Sequence, residues 1–296
     1  MKIECHWLKA ENKYEKILRS VTLNAREVIN PIYLIIHYTA GDTAKSAVNW
    51  FINTTTNTDK ISAHIIIETD GTIIQLVPFN RRANHAGSST WDGVDNLNLH
   101  SIGVELVNPG SCEKQKDGTY KRKIAEQKYQ VYPRNRAKDI VETRHKHQLW
   151  AENGENHWFK FPVAQLIALY NLSRTLIRHY DLKNVLGHDD ISPYRKPDPG
   201  PCFPWHEYKM NVLGKSDNIG EMFIVNTEGT SLRKDHSTHS SVLKTLSKGY
   251  NVGLIETLDG WCKVYLANER MDVLQNNCCV KTIGWIQSSL LTLKES

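Results

Sequence analysis

The chain has 296 residues, a length that suits one catalytic domain with one accessory domain better than a single small domain. Hydrophobic residues make up 40% and charged residues 23%, which excludes a disordered chain and predicts a soluble protein with a sizeable core. The formal net charge is +5, and the Lys and Arg residues are scattered along the chain. This distribution argues against a nucleic-acid partner, although it suits an anionic polymer such as a cell wall.

The sequence contains no pattern typical of a signal peptide and no cysteine pattern typical of a disulfide framework. Residues 1–16 lack the apolar core of a signal peptide, and no segment approaches a membrane span. We therefore expect synthesis in the cytoplasm and no membrane insertion. The six cysteines form no CxxC pair, so most should be free thiols, with a redox-active pair at Cys278 and Cys279 as the alternative.

The first third of the chain contains three clear local signals. Residues 31–37 form a short apolar run that predicts a buried strand ending at His37. Apolar residues recur at helical spacing over residues 43–53, with Thr43 as the N-cap. Two β-rich runs, 61–68 and 72–77, flank Asp70-Gly71, which predicts a hairpin with a tight turn.

The middle of the chain alternates between regular and irregular patterns. Residues 101–107 predict a strand in which Glu105 lies between apolar neighbours. Residues 109–160 are polar with little periodicity, and we interpret them as an insertion over one edge of the domain. Pro162 then begins an amphipathic helix that should end near Tyr180 and pack on the sheet.

The last third indicates a domain boundary. A proline-rich loop, 187–204, and a short helix, 205–213, end the first domain, and the polar run 214–220 is the predicted linker. Short strands at close spacing then predict a small all-β barrel over residues 221–296. The expected fold class is thus α/β, a mixed central sheet flanked by helices over residues 1–213, followed by that barrel.

Two histidines and one carboxylate lie at positions that suit a metal site. His37 ends the predicted strand, and His188 and Asp198 lie in the stiff proline-rich loop. Such a set is enough for a catalytic zinc, with the fourth tetrahedral position left for water. Because the chain has 13 histidines, a structural or exposed role for each histidine is the alternative from this pattern alone.

Several ordered motifs together are more specific than any one of them. They are Ile35-Ile-His37-Tyr-Thr39, Ser62-Ala-His64, Asp70-Gly71 with Gln75-Leu-Val-Pro78, Asn84-His85-Ala-Gly87, Ser101-Ile-Gly-Val-Glu105-Leu, Gly187-His188 and Lys196-Pro-Asp198-Pro-Gly-Pro201. With these motifs, residues 30–213 resemble the zinc-dependent N-acetylmuramoyl-L-alanine amidases of the amidase type 2 and peptidoglycan recognition protein family. The fold expected above is the one that this family has.

The resemblance implies a reaction and a set of residues. The enzyme would cleave the amide bond between N-acetylmuramic acid and L-alanine of the peptidoglycan stem peptide with zinc-activated water, and it would hold one zinc per chain. His37, His188 and Asp198 would be the zinc ligands, and Glu105 and Lys196 the catalytic residues. Some phage members place a tyrosine beside the hairpin histidine, where this chain has Ala63, so the glutamate version is expected. The implied substrate-binding residues are His64, His85 and Asn98.

Each of these roles has an alternative. Glu105 could face solvent on an edge strand, Lys196 could be a surface lysine, and His64 and His85 could pack near the groove without touching substrate. The remaining histidines receive no role, and most should be exposed: His145, His147, His157, His179, His206, His236 and His239. For the whole chain, the alternatives are a muropeptide-binding protein without hydrolysis and a zinc hydrolase that cuts within the stem peptide.

Residues 221–296 resemble a bacterial SH3 domain. The matching motifs are Thr230-Ser-Leu-Arg233, Ser241-Val-Leu243, Leu246-Ser-Lys-Gly249, Asp259-Gly-Trp261-Cys-Lys-Val264 and Gly284-Trp-Ile286, although residues 268–281 form a longer excursion than is usual. The resemblance implies that this domain holds the enzyme on the cell wall; a purely structural cap is the alternative. The expected partners are therefore peptidoglycan or muropeptides, reached after release or by delivery outside the general secretory route, while a cytoplasmic recycling enzyme remains the other possibility.

Overall fold

The computed structural model describes residues 1–53, 55–147, 150, 156–213, 222–267 and 282–294, with the backbone of 274–275 and 278–279. The internal contacts divide the chain into two compact units, Met1–Phe203 and Pro204–Ser296. The short helix Trp205–Leu213 belongs to the second unit, whereas the sequence analysis placed it at the end of the first domain. The predicted linker, 214–220, lies outside the described residues.

The first unit contains fifteen described strands and three described α-helices. The strands are β1 Lys2–Glu4, β2 Trp7–Lys9, β3 Ile17–Arg19, β4 Tyr33–Tyr38, β5 Ile65–Ile67, β6 Ile73–Gln75, β7 Thr90–Trp91, β8 Val94–Asp95, β9 Ser101–Leu106, β10 Ser111–Lys114, β11 Tyr120–Ala125, β12 Lys128–Tyr132, β13 Ile140–Glu142, β14 His157–Phe159 and β15 Asn184–Gly187. The helices are α1 Ala44–Ile52, α2 Val163–Tyr180 and α3 His188–Ile191.

A six-stranded mixed sheet forms the centre of this unit, as predicted. Its strand order is β15-β4-β9-β5-β6-β3. Strands β15, β4, β9 and β5 run parallel, and only the β5–β6 pair is antiparallel. The inner strand β4 is buried on both faces from Tyr33 to His37, which explains its continuous apolar run. The parallel arrangement places the carboxyl ends of β4, β9 and β15 at one edge of the sheet.

The local signals of this unit are confirmed with small shifts in their bounds. The Thr43 hydroxyl accepts a hydrogen bond from Ser46 N–H at 3.3 Å and caps α1. Gly71 has φ +86° in the hairpin between β5 and β6, a conformation that favours glycine. In α2, Gln165 Nε2 donates to the carbonyls of Ile67 and Val107 at 2.9 and 3.0 Å, which fixes the helix on the sheet.

The predicted insertion has a regular structure of its own. Strands β10 to β14 form an antiparallel sheet in the order β12-β11-β10-β14-β13, which we call the insertion sheet. Its small core consists of Cys112, Tyr120, Tyr132, Ile140 and Phe159. The sequence analysis did not predict these strands, because a narrow sheet with so few buried side chains leaves little alternation in the sequence.

The second unit is an antiparallel β domain after one helix. It consists of α4 Trp205–Leu213, β16 Met222–Val225, β17 Thr230–Arg233, β18 Val242–Leu246, β19 Asn251–Leu258, β20 Trp261–Leu266, β21 Leu274–Gln275, β22 Cys278–Cys279, β23 Ile283–Gln287 and β24 Leu291–Leu293. Seven of these strands form one sheet, in the order β18-β17-β23-β20-β19-β16-β24, around a core that includes Val225, Leu232 and Ile286. The all-β prediction agrees with this sheet, and the finer SH3-like assignment stays a prediction.

Two expectations about chemistry and targeting can be compared with the described residues. Among the described residues, Cys5, Cys112, Cys202 and Cys262 form no disulfide bond, which agrees with the predicted thiols. The side chains of Cys278 and Cys279 lie outside the described part of the chain. Among the described helices, none combines the length and apolarity that crossing a bilayer requires.

Candidate metal centre and active site

The carboxyl edge of the central sheet brings the predicted metal ligands together. His37 is near the end of β4, and β15 leads directly into α3, whose first residue is His188. Asp198 follows on the proline-rich loop, and its carbonyl accepts a hydrogen bond from Asp189 N–H at 2.7 Å. All three candidate ligands are buried, with exposed fractions of 6% or less.

The three side chains form a compact triangle. His37 Nδ1 lies 2.9 Å from His188 Nδ1, and each nitrogen lies 3.0 Å from Asp198 Oδ2. Tetrahedral zinc with bonds of about 2.0–2.1 Å separates its ligands by roughly 3.3 Å, so a small outward movement would fit the ion. These residues form a group that could hold a metal ion, and among the described residues it is the only such group.

A chain of hydrogen bonds determines which His37 nitrogen faces the site. Ser101 Oγ–H donates to the Leu97 carbonyl at 2.5 Å, so Ser101 Oγ can accept from His85 Nε2–H at 3.3 Å. His85 Nδ1 is then an acceptor for His37 Nε2–H, at 3.0 Å. This assignment leaves the lone pair of His37 Nδ1 directed at the triangle.

The lone pair of His188 Nδ1 is also directed at the triangle, because of a different contact. Its Nε2 lies 3.1 Å from the Ala86 carbonyl, which can only accept, so Nε2 carries the proton. Arg195 Nη2 lies 3.2 Å from the same nitrogen. Because both groups are then donors, they form no hydrogen bond with each other. Two imidazole lone pairs and a carboxylate oxygen therefore converge in a buried space, and such a set needs a cation between its members. The donor set fits a metal ion.

The electrostatics agree with this arrangement. Burial lowers the pKa of His37 to about 4, and the positive charge of Lys196 adds to the effect. His37 is therefore neutral near pH 7, as a metal ligand must be.

Glu105 lies beside the triangle on the central strand β9. It pairs in register with His37 across β4 and β9, so both side chains are on the same face of the sheet. Strands β4 and β5 flank β9, and Glu105 is only 9% exposed, so the alternative of a solvent-facing edge position is wrong. Within the described chain, its Oε2 has no hydrogen-bond partner. Burial raises the pKa of Glu105 well above its ordinary value, and the charge of Asp198 adds to the rise.

Lys196 is half-buried on the loop between His188 and Asp198. Its backbone N–H donates to the Ser192 carbonyl at 3.0 Å, which shapes the loop. The positive charge of Lys196 contributes to lowering the pKa of both His37 and Glu105. A cation that acts on both groups lies near the candidate centre, where developing negative charge would be stabilised.

The predicted substrate-binding residues have structural partners. His64 is fully buried: its Nδ1 accepts from Gly103 N–H at 3.0 Å, and its Nε2–H donates to the Arg81 carbonyl at 2.8 Å. No ring nitrogen of His64 is left for a substrate, so the structure supports the packing alternative. Asn98 Oδ1 accepts from the N–H groups of His85 and Ala86 at 2.9 and 2.8 Å. Asn98 thereby holds the segment that contacts both candidate histidine ligands.

The candidate site lies within a segment that matches a known protein family. The sequence profile of the N-acetylmuramoyl-L-alanine amidase family matches residues 27–201, more than half of the chain. The chain belongs to this amidase family. The match includes all three candidate metal ligands and Glu105.

Amidase-family relatives cover the same region. N-acetylmuramoyl-L-alanine amidase AmiD of Escherichia coli K12 is 32% identical over 192 residues, which cover 61% of this chain and 53% of AmiD. The 1,6-anhydro-N-acetylmuramyl-L-alanine amidase AmpD of the same organism is 33% identical over 155 residues, 52% of this chain and 59% of AmpD. The chain thus spans a little over half the length of these relatives.

A solved structure of an amidase relative also aligns. It is the complex of E. coli AmiD with anhydro-N-acetylmuramic acid-L-Ala-D-gamma-Glu-L-Lys. The alignment covers 62% of this chain and 58% of AmiD, with 29% identity and a TM-score of 0.44.

Sequence reasoning missed two buried histidines of this amidase-family chain. Most of the seven histidines without a role were expected to be exposed, but His145 and His147 are buried, with exposed fractions of 4% and 6%. They are buried because both rings pack against the loop that follows His188. His147 Nε2 lies 2.9 Å from the Asp189 carbonyl, and His145 Nε2 lies 3.0 Å from the Pro197 carbonyl. The available signal was the short spacing His-Lys-His in an otherwise polar stretch.

The burial of His64 predicts a pH dependence of stability in this amidase domain. Burial lowers its pKa to about 4, so folding favours the neutral form, and stability is lost as the pH falls from about 6.5 towards 4. Between about pH 7.5 and 4.5, the free energy of unfolding should fall by about 2–3 kcal/mol more in the wild type than in His64→Gln. Urea unfolding of both proteins with a chelator present measures this difference, and equal losses would contradict it.

Proposed function

We propose that this chain is a zinc-dependent N-acetylmuramoyl-L-alanine amidase, which hydrolyses the amide bond between the lactyl group of N-acetylmuramic acid and L-alanine of the stem peptide. The observation that carries this proposal is the convergence of His37, His188 and Asp198 beside Glu105, whose Oε2 has no hydrogen-bond partner among the described residues. Membership of the amidase family supports the choice of bond.

The proposed metal is one zinc ion per chain. His37 and His188 would contribute their Nδ1 atoms and Asp198 its Oδ2, a donor set typical of catalytic zinc. When bound, zinc supplies Lewis-acid polarisation and lowers the pKa of a bound water. Two neutral imidazoles and one carboxylate would leave a net site charge of +1.

Glu105 is the proposed general base and acid. Its Oε2, which has no hydrogen bond within the described part of the chain, can take the proton of the attacking water and then give it to the departing alanine nitrogen. Burial raises its pKa, which brings the carboxyl closer to the range in which it can perform both transfers. Because Glu105 and His37 share one face of the sheet, the proton transfer and the metal lie on the same side of the substrate.

Lys196 is the proposed stabiliser of the oxyanion. As the water attacks, negative charge develops on the carbonyl oxygen, and an ammonium group close to His37 and Glu105 can stabilise it. A half-buried position restricts the solvent around the ammonium, which strengthens this interaction relative to an exposed lysine.

A muropeptide-binding protein without hydrolysis is the alternative from another functional class. The discriminating feature is loss of a metal ligand, and here all three candidates are present and converge. Among the described residues, Glu105 Oε2 has no hydrogen-bond partner, which costs stability, and a role in proton transfer gives this buried oxygen a function. These observations favour hydrolysis.

Digestion of purified muropeptides tests the reaction and the bond. Mass spectrometry should detect an intact stem peptide with a free amino group on L-alanine, together with the free lactyl acid of the sugar. Glu105→Gln serves as the matched inactive control. Fragments cut within the stem peptide would support the other zinc hydrolase, and binding without any release would support the recognition protein.

For the second unit we propose a role in binding the cell wall. The support is the resemblance of its motifs, such as Asp259-Gly-Trp261, to bacterial SH3 domains. Sedimentation of the full chain with insoluble wall measures this role, and a chain that stays in the supernatant would contradict it.

A further inference from the structure

A short segment of the insertion contacts the loop that contains two of the candidate metal ligands. Residues 145–147, His-Lys-His, follow strand β13 of the insertion sheet and lie against the region between His188 and Asp198. This segment contains none of the candidate ligands or catalytic residues, and we refer to it as the 145–147 segment.

Lys146 neutralises two carboxylates next to His188. Its Nζ lies 3.0 Å from Asp189 Oδ1 and 2.8 Å from Asp190 Oδ1. The Asp189 side chain is only 1% exposed, and that of Asp190 only 11%. Asp190 Oδ2 accepts from Gly187 N–H at 2.8 Å, so the residues on both sides of His188 are tied to the same ion-pair group. Two neighbouring buried carboxylates would repel each other without this ammonium.

The two histidines of the segment bridge the ligand-bearing residues. His147 N–H donates to His145 Nδ1 at 3.0 Å, which leaves the proton of His145 on Nε2. That Nε2 lies 3.0 Å from the Pro197 carbonyl and 3.3 Å from Asp189 Oδ2. One imidazole therefore joins the residue before Asp198 to the residue after His188.

The loop also packs on the insertion sheet beyond Asp198. Gly200 has φ +77°, and a Cβ at this position would lie 2.8 Å from the ring of Trp158, a buried residue of β14. The insertion thus touches the proline-rich loop near its beginning, where Lys146 contacts Asp189 and Asp190, and again at Gly200, which packs against Trp158 of the insertion sheet.

We propose that the 145–147 segment positions His188 and Asp198 for metal binding, and that His145, Lys146 and His147 are positioning residues of the metal centre. The inference rests on the proposed zinc site. Residues that orient metal ligands typically change affinity by about 10- to 100-fold when they are removed. The ligands themselves would be unchanged; their separation and orientation would be less well defined.

The test measures metal binding by the full chain rather than turnover. Lys146→Met should weaken zinc affinity by about tenfold or more in a chelator competition, and should change the visible absorption of the cobalt-substituted protein. Lys146→Arg, which keeps the charge, should restore most of the affinity. Lys123→Met is the matched control, because Lys123 is an exposed residue of the same insertion sheet.

The outcomes are distinguishable. A folded Lys146→Met with zinc affinity within about threefold of the wild type and an unchanged cobalt spectrum would overturn the inference, even if its melting temperature fell. If Lys146→Met does not fold, His147→Phe, which removes the hydrogen bond to the Asp189 carbonyl, decides by the same two criteria. A wild-type protein that binds no zinc would instead overturn the proposed metal site.

Discussion

Glu105→Gln should lower the turnover of muropeptides by about a hundredfold or more, the usual scale for loss of a general base. Gln has the shape of Glu but cannot accept a proton at neutral pH. The zinc content should remain one per chain, because Glu105 is not among the three candidate ligands. Substrate affinity should also be kept, so the loss should appear in kcat rather than in KM.

Stability gives an independent readout for the same variant. In the wild-type protein, Glu105 Oε2 is buried with no hydrogen-bond partner in the described ranges, which is costly, so the neutral amide should leave the melting temperature unchanged or raise it. Glu113→Gln, an exposed position on β10, is the matched control and should keep full activity. Unaltered turnover in Glu105→Gln would show that the base is another group.

The second large effect is expected from the metal ligands. Ala in place of His37, His188 or Asp198 should reduce bound zinc to less than about a tenth of the wild-type content and abolish hydrolysis, since two ligands do not form a closed site. Each variant should still fold, because the central sheet and α2 supply a core that does not depend on these side chains. Circular dichroism and metal analysis measure the two properties separately.

The control for this series is His179→Ala, which removes an exposed imidazole outside the site. It should keep one zinc per chain and full activity. Chelation of the wild-type protein should likewise abolish activity, and added zinc should restore it. Full zinc occupancy in Asp198→Ala would contradict the proposed ligand set.

Local signals were sufficient to predict the elements that frame the site. The β-branched run before His37, the N-cap at Thr43 and the Asp70-Gly71 turn are each determined by neighbouring residues, so they are visible without tertiary contacts. The proposed ligands were named from ordered motifs, and the structure brings those three side chains into one triangle.

Long-range contacts explain what could not be predicted. The position of the proton on His85 depends on two hydrogen bonds of Ser101. Ser101 Oγ–H donates to the Leu97 carbonyl, and Ser101 Oγ accepts from His85 Nε2–H. These contacts exist only once β9 has formed. The burial of His145 and His147 depends on a loop more than forty residues away in the sequence. Neither the contacts of His85 nor the burial of these two histidines produces a periodic pattern in the sequence.

The chain enters and leaves the insertion sheet at one place. Gly110, just before β10, accepts a hydrogen bond through its carbonyl from the N–H of Phe159, the last residue of β14, at 3.0 Å. The two ends of the insertion sheet therefore meet where it joins the amidase domain. The central sheet contains none of its strands, so the order of the central strands does not depend on the insertion. Shortening or exchanging the insertion would leave every proposed metal ligand in the sequence and still remove the contacts that hold Asp189 and Gly200. Length changes at this junction would thus tune the metal centre without altering any ligand.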